Sequence, residues 1–288
     1  MLAIGLSVVK IVAAAYAGLC LLVVARQSKY VYYPDRDLAA TPADDKMEYE
    51  DVRLQTSDGE TIAGWYVPVA TNREQAPVLL DCHGNAGDIG DRVWSVRTFH
   101  DLGLNVLIFD YRGYGQSTGK PTEQGTYLDA MAAWDYLTGE KGFPTNRVIV
   151  FGRSLGGSVA SWLAEQVSPS ALVIESAFTS APDMAGKVFP YLPGRLLCRF
   201  KYDALSHVKK IHCPILIAHS RDDEMVPIQN GRRLFAAANE PKVFVEMRGE
   251  HNSGGLDVDP DYQAILGKFI VEHVNQQTNS VQQVIGGS

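Results

Sequence analysis

The feature that most constrains this chain is an apolar run that ends on a Gly-x-Ser-x-Gly turn and continues at once into a helical stretch. The run occupies residues 148–157, with Gly152, Ser154 and Gly156 at the turn. A serine in a sharp strand-to-helix turn projects its hydroxyl clear of the backbone, and only small residues two positions away avoid a clash there. Ser154 is therefore a candidate nucleophile. Because so short a pattern also arises by chance, the hypothesis depends on the residues around it.

Strand-like and helix-like segments alternate along most of the chain. Strands are predicted at residues 49–55 and 61–67, which form a hairpin, and then at 78–82, 106–109, 148–151, 172–174, 215–218 and 243–247. Helices are predicted at residues 93–102, 123–137, 155–167, 228–238 and 261–274. Apolar strands separated by helices indicate a mainly parallel central sheet that is flanked by helices on both faces. The predicted fold class is therefore α/β.

The alternation lapses between residues 178 and 207, where three prolines stand among aromatic and basic residues. This segment is predicted to be a small cap inserted into a single α/β domain over residues 30–274. Residues 275–288 are polar and end in glycines, which is typical of a flexible tail.

The first residues form a separate region. Residues 2–24 are almost wholly apolar, interrupted only by Ser7 and Lys10. Since about 20 such residues suffice to cross a bilayer as a helix, we predict an uncleaved single-pass membrane anchor over residues 1–29. A cleaved signal peptide stays open as an alternative, because residues 15–17 (Ala-Tyr-Ala) resemble a cleavage site, although the charge at Lys10 is misplaced for one.

The membrane side of the domain is less constrained than the anchor itself. Three basic residues follow the apolar stretch, namely Arg26, Lys29 and Arg36. Positive charge accumulates on the cytoplasmic side of membrane spans, so these residues slightly favour a cytoplasmic domain. The margin is small, and both sides stay open.

Composition excludes several classes of function. The formal net charge is -7 and no basic stripe is present, which argues against a nucleic-acid partner. The four cysteines are far apart and lack metal-ligand spacing, so neither a metal nor another cofactor is expected. The glycine-rich segment after residues 78–82 lacks the Gly-Lys-Ser/Thr ending of a phosphate loop, which disfavours nucleotide binding.

A serine nucleophile requires a general base and an acid that orients the base. In folds with this serine turn, the chain order is nucleophile, acid and then histidine. Of the seven histidines, that order leaves His251 and His273. His273 lies inside the last predicted helix, where a surface position is expected. His251 lies in the loop after the last predicted strand, where loops carry functional groups, and is the predicted base.

The acid is expected to follow the strand at residues 215–218. Three neighbouring carboxylates compete there, namely Asp222, Asp223 and Glu224. Glu175, at the end of an earlier strand, is a further candidate. Position along the chain does not choose among them.

The oxyanion of a tetrahedral intermediate needs two N–H donors. One is expected to be the backbone N–H of Leu155, directly after the nucleophile, and the other to come from the loop after an early strand. We assign the second to the backbone N–H of Asn85, with His83 and Gly84 shaping the loop.

Six motifs together indicate a family. They are His-Gly-Asn-Ala-Gly at 83–87, Asp-Tyr-Arg-Gly-Tyr-Gly-Gln-Ser at 110–117, Gly-Arg-Ser-Leu-Gly-Gly at 152–157, Glu-Ser-Ala-Phe-Thr-Ser at 175–180, His-Ser-Arg-Asp-Asp at 219–223 followed by Val226 and Pro227, and His-Asn at 251–252. With them the chain resembles the α/β-hydrolase superfamily, and more narrowly its Bem-type and ABHD branch of membrane-associated serine hydrolases. The resemblance covers about residues 30–274. That family usually carries His-Gly-x-x-Asp before the acid, which implies Asp223, although Ser220 replaces the glycine here.

The resemblance implies an α/β-hydrolase fold and a serine hydrolase that cleaves esters or thioesters through an acyl-enzyme. The implied triad is Ser154, Asp223 and His251. Lipophilic or membrane-proximal acyl substrates are favoured by the apolar and aromatic side chains of the cap, namely Phe178, Phe189, Tyr191, Leu192 and Phe200. Two alternatives stay open: a serine aminopeptidase-like amide hydrolase, and a catalytically silent membrane-tethered binding or scaffold protein. The sequence names no protein partner.

Overall fold

The helices and strands follow the predicted order closely. The computed structural model describes residues 2–275, so the predicted tail at 275–288 lies outside the described residues except for Asn275. The helices are α1 Leu2–Ala25, α2 Ser28–Val31, α3 Val93–Asp101, α4 Glu123–Asp135, α5 Leu155–Gln166, α6 Ala181–Val188, α7 Gly194–Leu197, α8 Ala204–Val208, α9 Gln229–Ala237 and α10 Pro260–Ile270. The strands are β1 Tyr33–Pro34, β2 Glu50–Gln55, β3 Thr61–Val67, β4 Val78–Cys82, β5 Ala86–Gly87, β6 Asn105–Phe109, β7 Val148–Arg153, β8 Ala171–Glu175, β9 Ile215–Ser220 and β10 Lys242–Met247.

Eight of these strands form one twisted sheet in the order β10-β9-β8-β7-β4-β6-β3-β2. The pairs β2–β3 and β3–β6 are antiparallel, and the other five are parallel. Every residue of β4, β6, β8 and β9 is buried, as expected for strands covered on both faces. The predicted mainly parallel sheet with an antiparallel hairpin at its edge is confirmed.

Two hydrophobic clusters lie on opposite faces of the sheet, because successive side chains of a strand point to opposite sides. Leu80 and Val150 belong to the cluster that packs against α4, α5, α8 and α9. Leu79 and Ile149 belong to the cluster that packs against α3 and α10. Helices therefore cover both faces, and the carboxyl ends of the parallel strands are left to carry the site.

Two parts of the chain, the cap and α1, lie outside these layers of sheet and helices. The predicted cap between β8 and β9 contains α6 and α7, and α8 begins at its end. No residue of Ile4–Ala25 in α1 is buried, and this part of the helix is long and apolar enough to cross a membrane. After it, the two-residue strands β1 and β5 pair in parallel, so the segment that follows α2 is fixed to the loop after β4.

Candidate active site

Ser154 lies between β7 and α5 in a strained backbone conformation. Its φ of 55° and ψ of -117° lie in a region that residues other than glycine rarely adopt. Hydrogen bonds hold the turn on both sides, since Ser154 N donates to Glu175 O at 2.9 Å and Gly157 N donates to Ser154 O at 3.0 Å. The strain is thus supported by the neighbouring strand β8.

Glycines on both sides of Ser154 allow this turn. A Cβ on Gly156 would lie 1.8 Å from the Cys82 carbonyl oxygen, and one on Gly152 would lie 2.2 Å from the Gly156 carbonyl oxygen. Both distances are far below van der Waals contact. The small residues that the motif requires are therefore explained by the close approach of α5 to β4 at Gly156 and to β7 at Gly152.

Ser154, His251 and Asp223 form one hydrogen-bonded chain. His251 Nε2 lies 3.0 Å from Ser154 Oγ, and His251 Nδ1 lies 2.8 Å from Asp223 Oδ2. A carboxylate only accepts hydrogen bonds, so Nδ1 carries the imidazole proton and Nε2 accepts the serine hydroxyl. The structure brings together three side chains that lie up to 97 positions apart in the sequence.

The Asp223 carboxylate is held by its own loop. Its Oδ1 accepts hydrogen bonds from the backbone N–H groups of Met225, at 3.0 Å, and Val226, at 2.6 Å. Beneath it, His219 Nε2 donates to the Val226 carbonyl oxygen at 2.8 Å. Burial lowers the pKa of His219, so this imidazole is neutral and adds no charge beside the acid. These contacts fix the orientation of Asp223.

The neighbouring carboxylates bind the histidine loop. His251 N donates to Glu224 Oε2 at 2.9 Å, which lowers the pKa of Glu224. Gly249 N donates to Asp222 Oδ2 at 3.4 Å. Asp222 and Glu224 therefore hold the backbone of this loop and are not merely solvated neighbours of the acid.

The carboxylate of Glu175, a further candidate for the acid, is not hydrogen-bonded to the His251 imidazole. The side chain is fully buried, and its Oε1 lies 3.2 Å from the Arg153 guanidinium. Arg153 in turn donates to the carbonyl oxygens of His251, at 3.1 Å, and Gly254, at 2.9 Å. Glu175 also accepts from Leu256 N at 3.3 Å. The pair Arg153–Glu175 thus ties the serine turn to the histidine loop, a role that the sequence analysis did not assign.

Asn85 and Leu155 line the same cavity as Ser154 and His251. The Asn85 loop is fixed from outside the sheet, since Asn85 O accepts from Tyr33 N at 2.9 Å and from Tyr114 Oη at 2.8 Å. Its side-chain Nδ2 donates to the Val31 carbonyl oxygen at 2.8 Å. The carbonyl oxygen and the side-chain amide of Asn85 are therefore both hydrogen-bonded. Neither contact involves its backbone N–H, which is the predicted oxyanion donor.

The cavity next to Ser154 has a volume of about 330 Å³ and mainly apolar walls. Its cap wall includes Phe178, Met184, Phe189, Leu192, Leu197 and Phe200. Tyr191, also predicted to favour an acyl group, does not line the cavity and is 90% exposed. Val23 and Gln27, near the end of α1, also line the cavity. The part of the chain that the structure describes holds no cluster of three or more metal-ligating side chains.

Comparisons with known proteins identify the family of this fold. A family profile described as alpha/beta hydrolase fold matches residues 77–197. The alpha/beta hydrolase domain-containing protein WAV2 of Arabidopsis thaliana is 37% identical over 80% of this chain and 82% of its own. Protein bem46 of Schizosaccharomyces pombe is 34% identical over 86% of this chain and 87% of its own. The chain belongs to the α/β-hydrolase family.

A solved structure supports the same fold. An esterase of Pyrococcus furiosus matches this α/β-hydrolase with a TM-score of 0.69 at 20% identity, over 85% of this chain and 98% of the esterase. The predicted fold class and family are therefore confirmed, and hydrolysis is the activity that the family supports.

Proposed function

We propose that this α/β-hydrolase cleaves carboxylic esters or thioesters through a covalent acyl-enzyme. The observation that carries the proposal is the hydrogen-bonded chain from Ser154 through His251 to Asp223, placed on the wall of an apolar cavity. Nucleophile, base and orienting acid in this order are the parts that serine acyl transfer requires. No cofactor has a step in this chemistry.

In the acylation step, Ser154 Oγ attacks the substrate carbonyl carbon while its proton passes to His251 Nε2. The carbonyl oxygen becomes an oxyanion, for which the backbone N–H groups of Asn85 and Leu155 are the proposed donors. One such donor contributes about 10²- to 10³-fold to the rate. Asp223 stays ionised and stabilises the imidazolium. The intermediate then expels the alcohol or thiol, which takes the proton from His251, and Ser154 is left acylated.

In the deacylation step, a water molecule takes the place of the leaving group. His251 Nε2 accepts a proton from this water as its oxygen attacks the acyl carbon. Collapse of the second tetrahedral intermediate releases the carboxylic acid and returns the proton to Ser154 Oγ. The enzyme is restored with no net gain or loss of protons beyond those of hydrolysis.

We also propose that α1 anchors the protein to a membrane. The support is its length, its apolar composition and the absence of any buried residue over Ile4–Ala25. The basic residues that follow it, Arg26, Lys29 and Arg36, favour a cytoplasmic catalytic domain. Protease protection of the catalytic domain away from the cap in sealed right-side-out vesicles tests the side, since a cytoplasmic domain is cleaved only after the vesicles are opened.

The hydrolase proposal is tested with a Ser154→Ala variant of the full chain in detergent micelles. Without the hydroxyl no acyl-enzyme forms, so hydrolysis of p-nitrophenyl acetate is expected to fall by about 10⁴-fold or more. Labelling by a fluorophosphonate, which bonds to an activated serine, is expected to disappear.

The matched control is Ser168→Ala, because Ser168 is exposed just after α5. This variant is expected to keep both activity and labelling. If Ser154→Ala retained full hydrolysis and labelling, the proposal would be wrong. An unsubstituted chain that never reacts with the probe, while a protein partner co-purifies, would instead favour the binding or scaffold alternative.

A further inference from the structure

The cap contacts the apolar helix α1 well inside its length. Tyr16 Oη donates to the Tyr191 carbonyl oxygen at 3.0 Å. Closer to the end of α1, Gln27 Nε2 donates to the Leu197 carbonyl oxygen at 2.6 Å, and the rings of Tyr30 and Phe189 meet at 5.5 Å. The cap and α1 therefore lie side by side.

These contacts set the depth of the cap. Tyr16 lies nine residues before the end of α1 at Ala25, which corresponds to about 14 Å along the axis at about 1.5 Å per residue. If α1 spans a bilayer, the Tyr191 carbonyl lies within one leaflet and not above the membrane surface.

The surface of the cap suits such a position. Tyr191 is 90% exposed, Leu196 83% and Val188 59%. Tyr191 and Leu196 do not line the cavity next to Ser154, whereas Val188 lies at its edge. Apolar side chains this exposed and this close together typically mark a surface that meets a membrane or a partner.

Several backbone N–H groups of the cap are hydrogen-bonded, as an apolar medium requires. Non-helical backbone is tolerated at membrane depth only where its polar groups have partners. Leu192 N donates to Phe189 O at 3.1 Å and Gly194 N to Leu192 O at 2.7 Å, while Pro190 and Pro193 have no N–H. Arg199 N donates to Gln27 Oε1 at 2.8 Å, so the turn between α1 and α2 pairs with one polar group of the cap backbone.

Basic side chains surround this surface, although the whole chain has a net charge of -7. Six exposed residues between the end of α1 and the end of the cap are basic and close to this surface in the chain, namely Arg26, Lys29, Lys187, Arg195, Arg199 and Lys201. Lys and Arg near a membrane surface are attracted by anionic headgroups. The charge pattern therefore fits a lipid surface.

We propose that residues 188–197 of the cap lie in the same leaflet as the C-terminal half of α1, and that the cavity takes one acyl chain of a membrane lipid directly from that leaflet. The proposal rests on the proposed hydrolase function and membrane anchor. Val23 and Gln27 of the α1 end, together with the cap, form the walls of the cavity that reaches Ser154. A volume of about 330 Å³ is at the lower end of ligand cavities and suits one chain.

Photolabelling tests the position of the cap without using activity. The full-length Ser154→Ala chain is placed in phosphatidylcholine vesicles that contain a phosphatidylcholine with a diazirine in its acyl chain. After irradiation, lipid adducts are expected on peptides from α1 and from residues 188–197, and none on the exposed Val271, which follows α10. Adducts on α1 alone would overturn the cap position. The absence of adducts on α1 would overturn the anchor as well.

Activity tests the route of the substrate. In Leu196→Asp, hydrolysis of monoolein in phosphatidylcholine vesicles is expected to fall by about tenfold, because a carboxylate is costly in the leaflet. Hydrolysis of water-soluble p-nitrophenyl acetate is expected to be unchanged, which also shows that the variant folds. Val271→Asp places the same charge on an exposed apolar position away from the cap and is expected to leave both rates unchanged.

The outcomes separate this inference from the function on which it rests. Equal monoolein rates for Leu196→Asp and the unsubstituted chain would overturn the leaflet route, even if hydrolysis depends on Ser154. Faster hydrolysis of a palmitoyl-cysteine peptide than of monoolein, with no effect of Leu196→Asp, would assign the site to S-acylated proteins and overturn the lipid substrate. Hydrolysis that does not depend on Ser154 would refute the proposed function, whatever the photolabelling shows.

Discussion

At the scale of single residues, the two carboxylate oxygens of Asp223 have different hydrogen-bond partners. Oδ1 is held by two backbone N–H groups, and Oδ2 accepts from His251 Nδ1. The carboxylate therefore selects the imidazole tautomer that leaves Nε2 free to accept the serine proton. Asp222 and Glu224 bind backbone N–H groups of the loop and have no contact of this kind with the imidazole.

The first residue-scale prediction concerns the acid. Asp223→Asn keeps the shape of the side chain but offers an amide N–H or a weaker acceptor to His251, which disfavours the productive tautomer. The kcat for p-nitrophenyl acetate is expected to fall by about 10³- to 10⁴-fold. Asp222→Asn is the matched control and is expected to stay close to the unsubstituted chain, since an amide oxygen can still accept from Gly249. Equal activity of the two variants would remove Asp223 from the mechanism.

A second buried carboxyl, Asp110, lies beneath the Asn85 loop and has an unusual titration. Its Oδ1 accepts from Ile89 N at 3.0 Å, and it lies 3.8 Å from His83 Nε2. Burial raises the pKa of Asp110 to about 8, and nearby Asp88 adds to the rise. Burial lowers the pKa of His83 to about 3. At neutral pH the two are therefore a neutral pair and not a salt bridge.

This titration predicts how stability depends on pH. Between the ordinary pKa of 3.8 and about 8, folded Asp110 holds a proton that the unfolded chain has released. The contribution of Asp110 to the free energy of unfolding is therefore present in full at low pH. It is lost as pH rises through this window, by up to about 1.4 kcal/mol per pH unit. Asp110→Asn removes this pH-dependent contribution, because an amide does not titrate.

The measurement is the free energy of unfolding by urea in detergent micelles at pH 5 and pH 7.5. Over that interval the difference in unfolding free energy between the unsubstituted chain and Asp110→Asn is expected to shift by about 3 kcal/mol in favour of the variant at the higher pH. A difference that stays constant with pH would mean that Asp110 is ionised in the folded protein.

At the scale of elements, the serine turn depends on how closely α5 packs against β4. The Gly156 position has no room for a methyl group, because the Cys82 carbonyl oxygen occupies that space. A side chain there would push the helix away from the sheet and move Ser154 relative to His251. The glycine is thus as much a packing requirement as a turn requirement.

The element-scale prediction follows from this contact. Gly156→Ala is expected to destabilise the protein by about 3 kcal/mol, near the upper end for overpacking, and to abolish activity. Gly139→Ala is the matched control, because a Cβ on that exposed glycine meets nothing within 4 Å. The urea midpoints of the two variants measure the difference. Equal midpoints would mean that the backbone yields without cost.

The ends of several strands were not predicted from the sequence pattern. The predicted strands ended with their apolar residues, whereas β7, β8 and β9 continue into Arg153, Glu175 and Ser220. Backbone pairing carries these polar residues into the sheet, and Arg153 lies directly opposite Glu175 in the register of β7 and β8. Apolar periodicity cannot reveal polar residues that are buried because a partner on another strand satisfies them.

At the scale of the whole molecule, segments far apart in the chain combine around one cavity. The end of α1, the cap and the carboxyl edge of the sheet all contribute walls. Tyr32 just after α2 is buried and shares a hydrogen bond with Tyr202 at 2.8 Å, which also joins the α1 region to the cap. The end of α1 therefore lines the cavity next to Ser154, so the proposed anchor would also contribute to the proposed substrate site.

The sequence alone determined the order of strands and helices, the serine at its strand-to-helix turn and the histidine that follows the last strand. These depend on local preference and on chain order, which a single chain displays directly. The tertiary structure decided which carboxylate faces His251, how Arg153 and Glu175 join the two loops, and that α1 lies against the cap. Each of those depends on contacts between residues distant in sequence, whose geometry arises only when the sheet and its loops are assembled. The catalytic roles of Ser154, Asp223 and His251 stay a prediction.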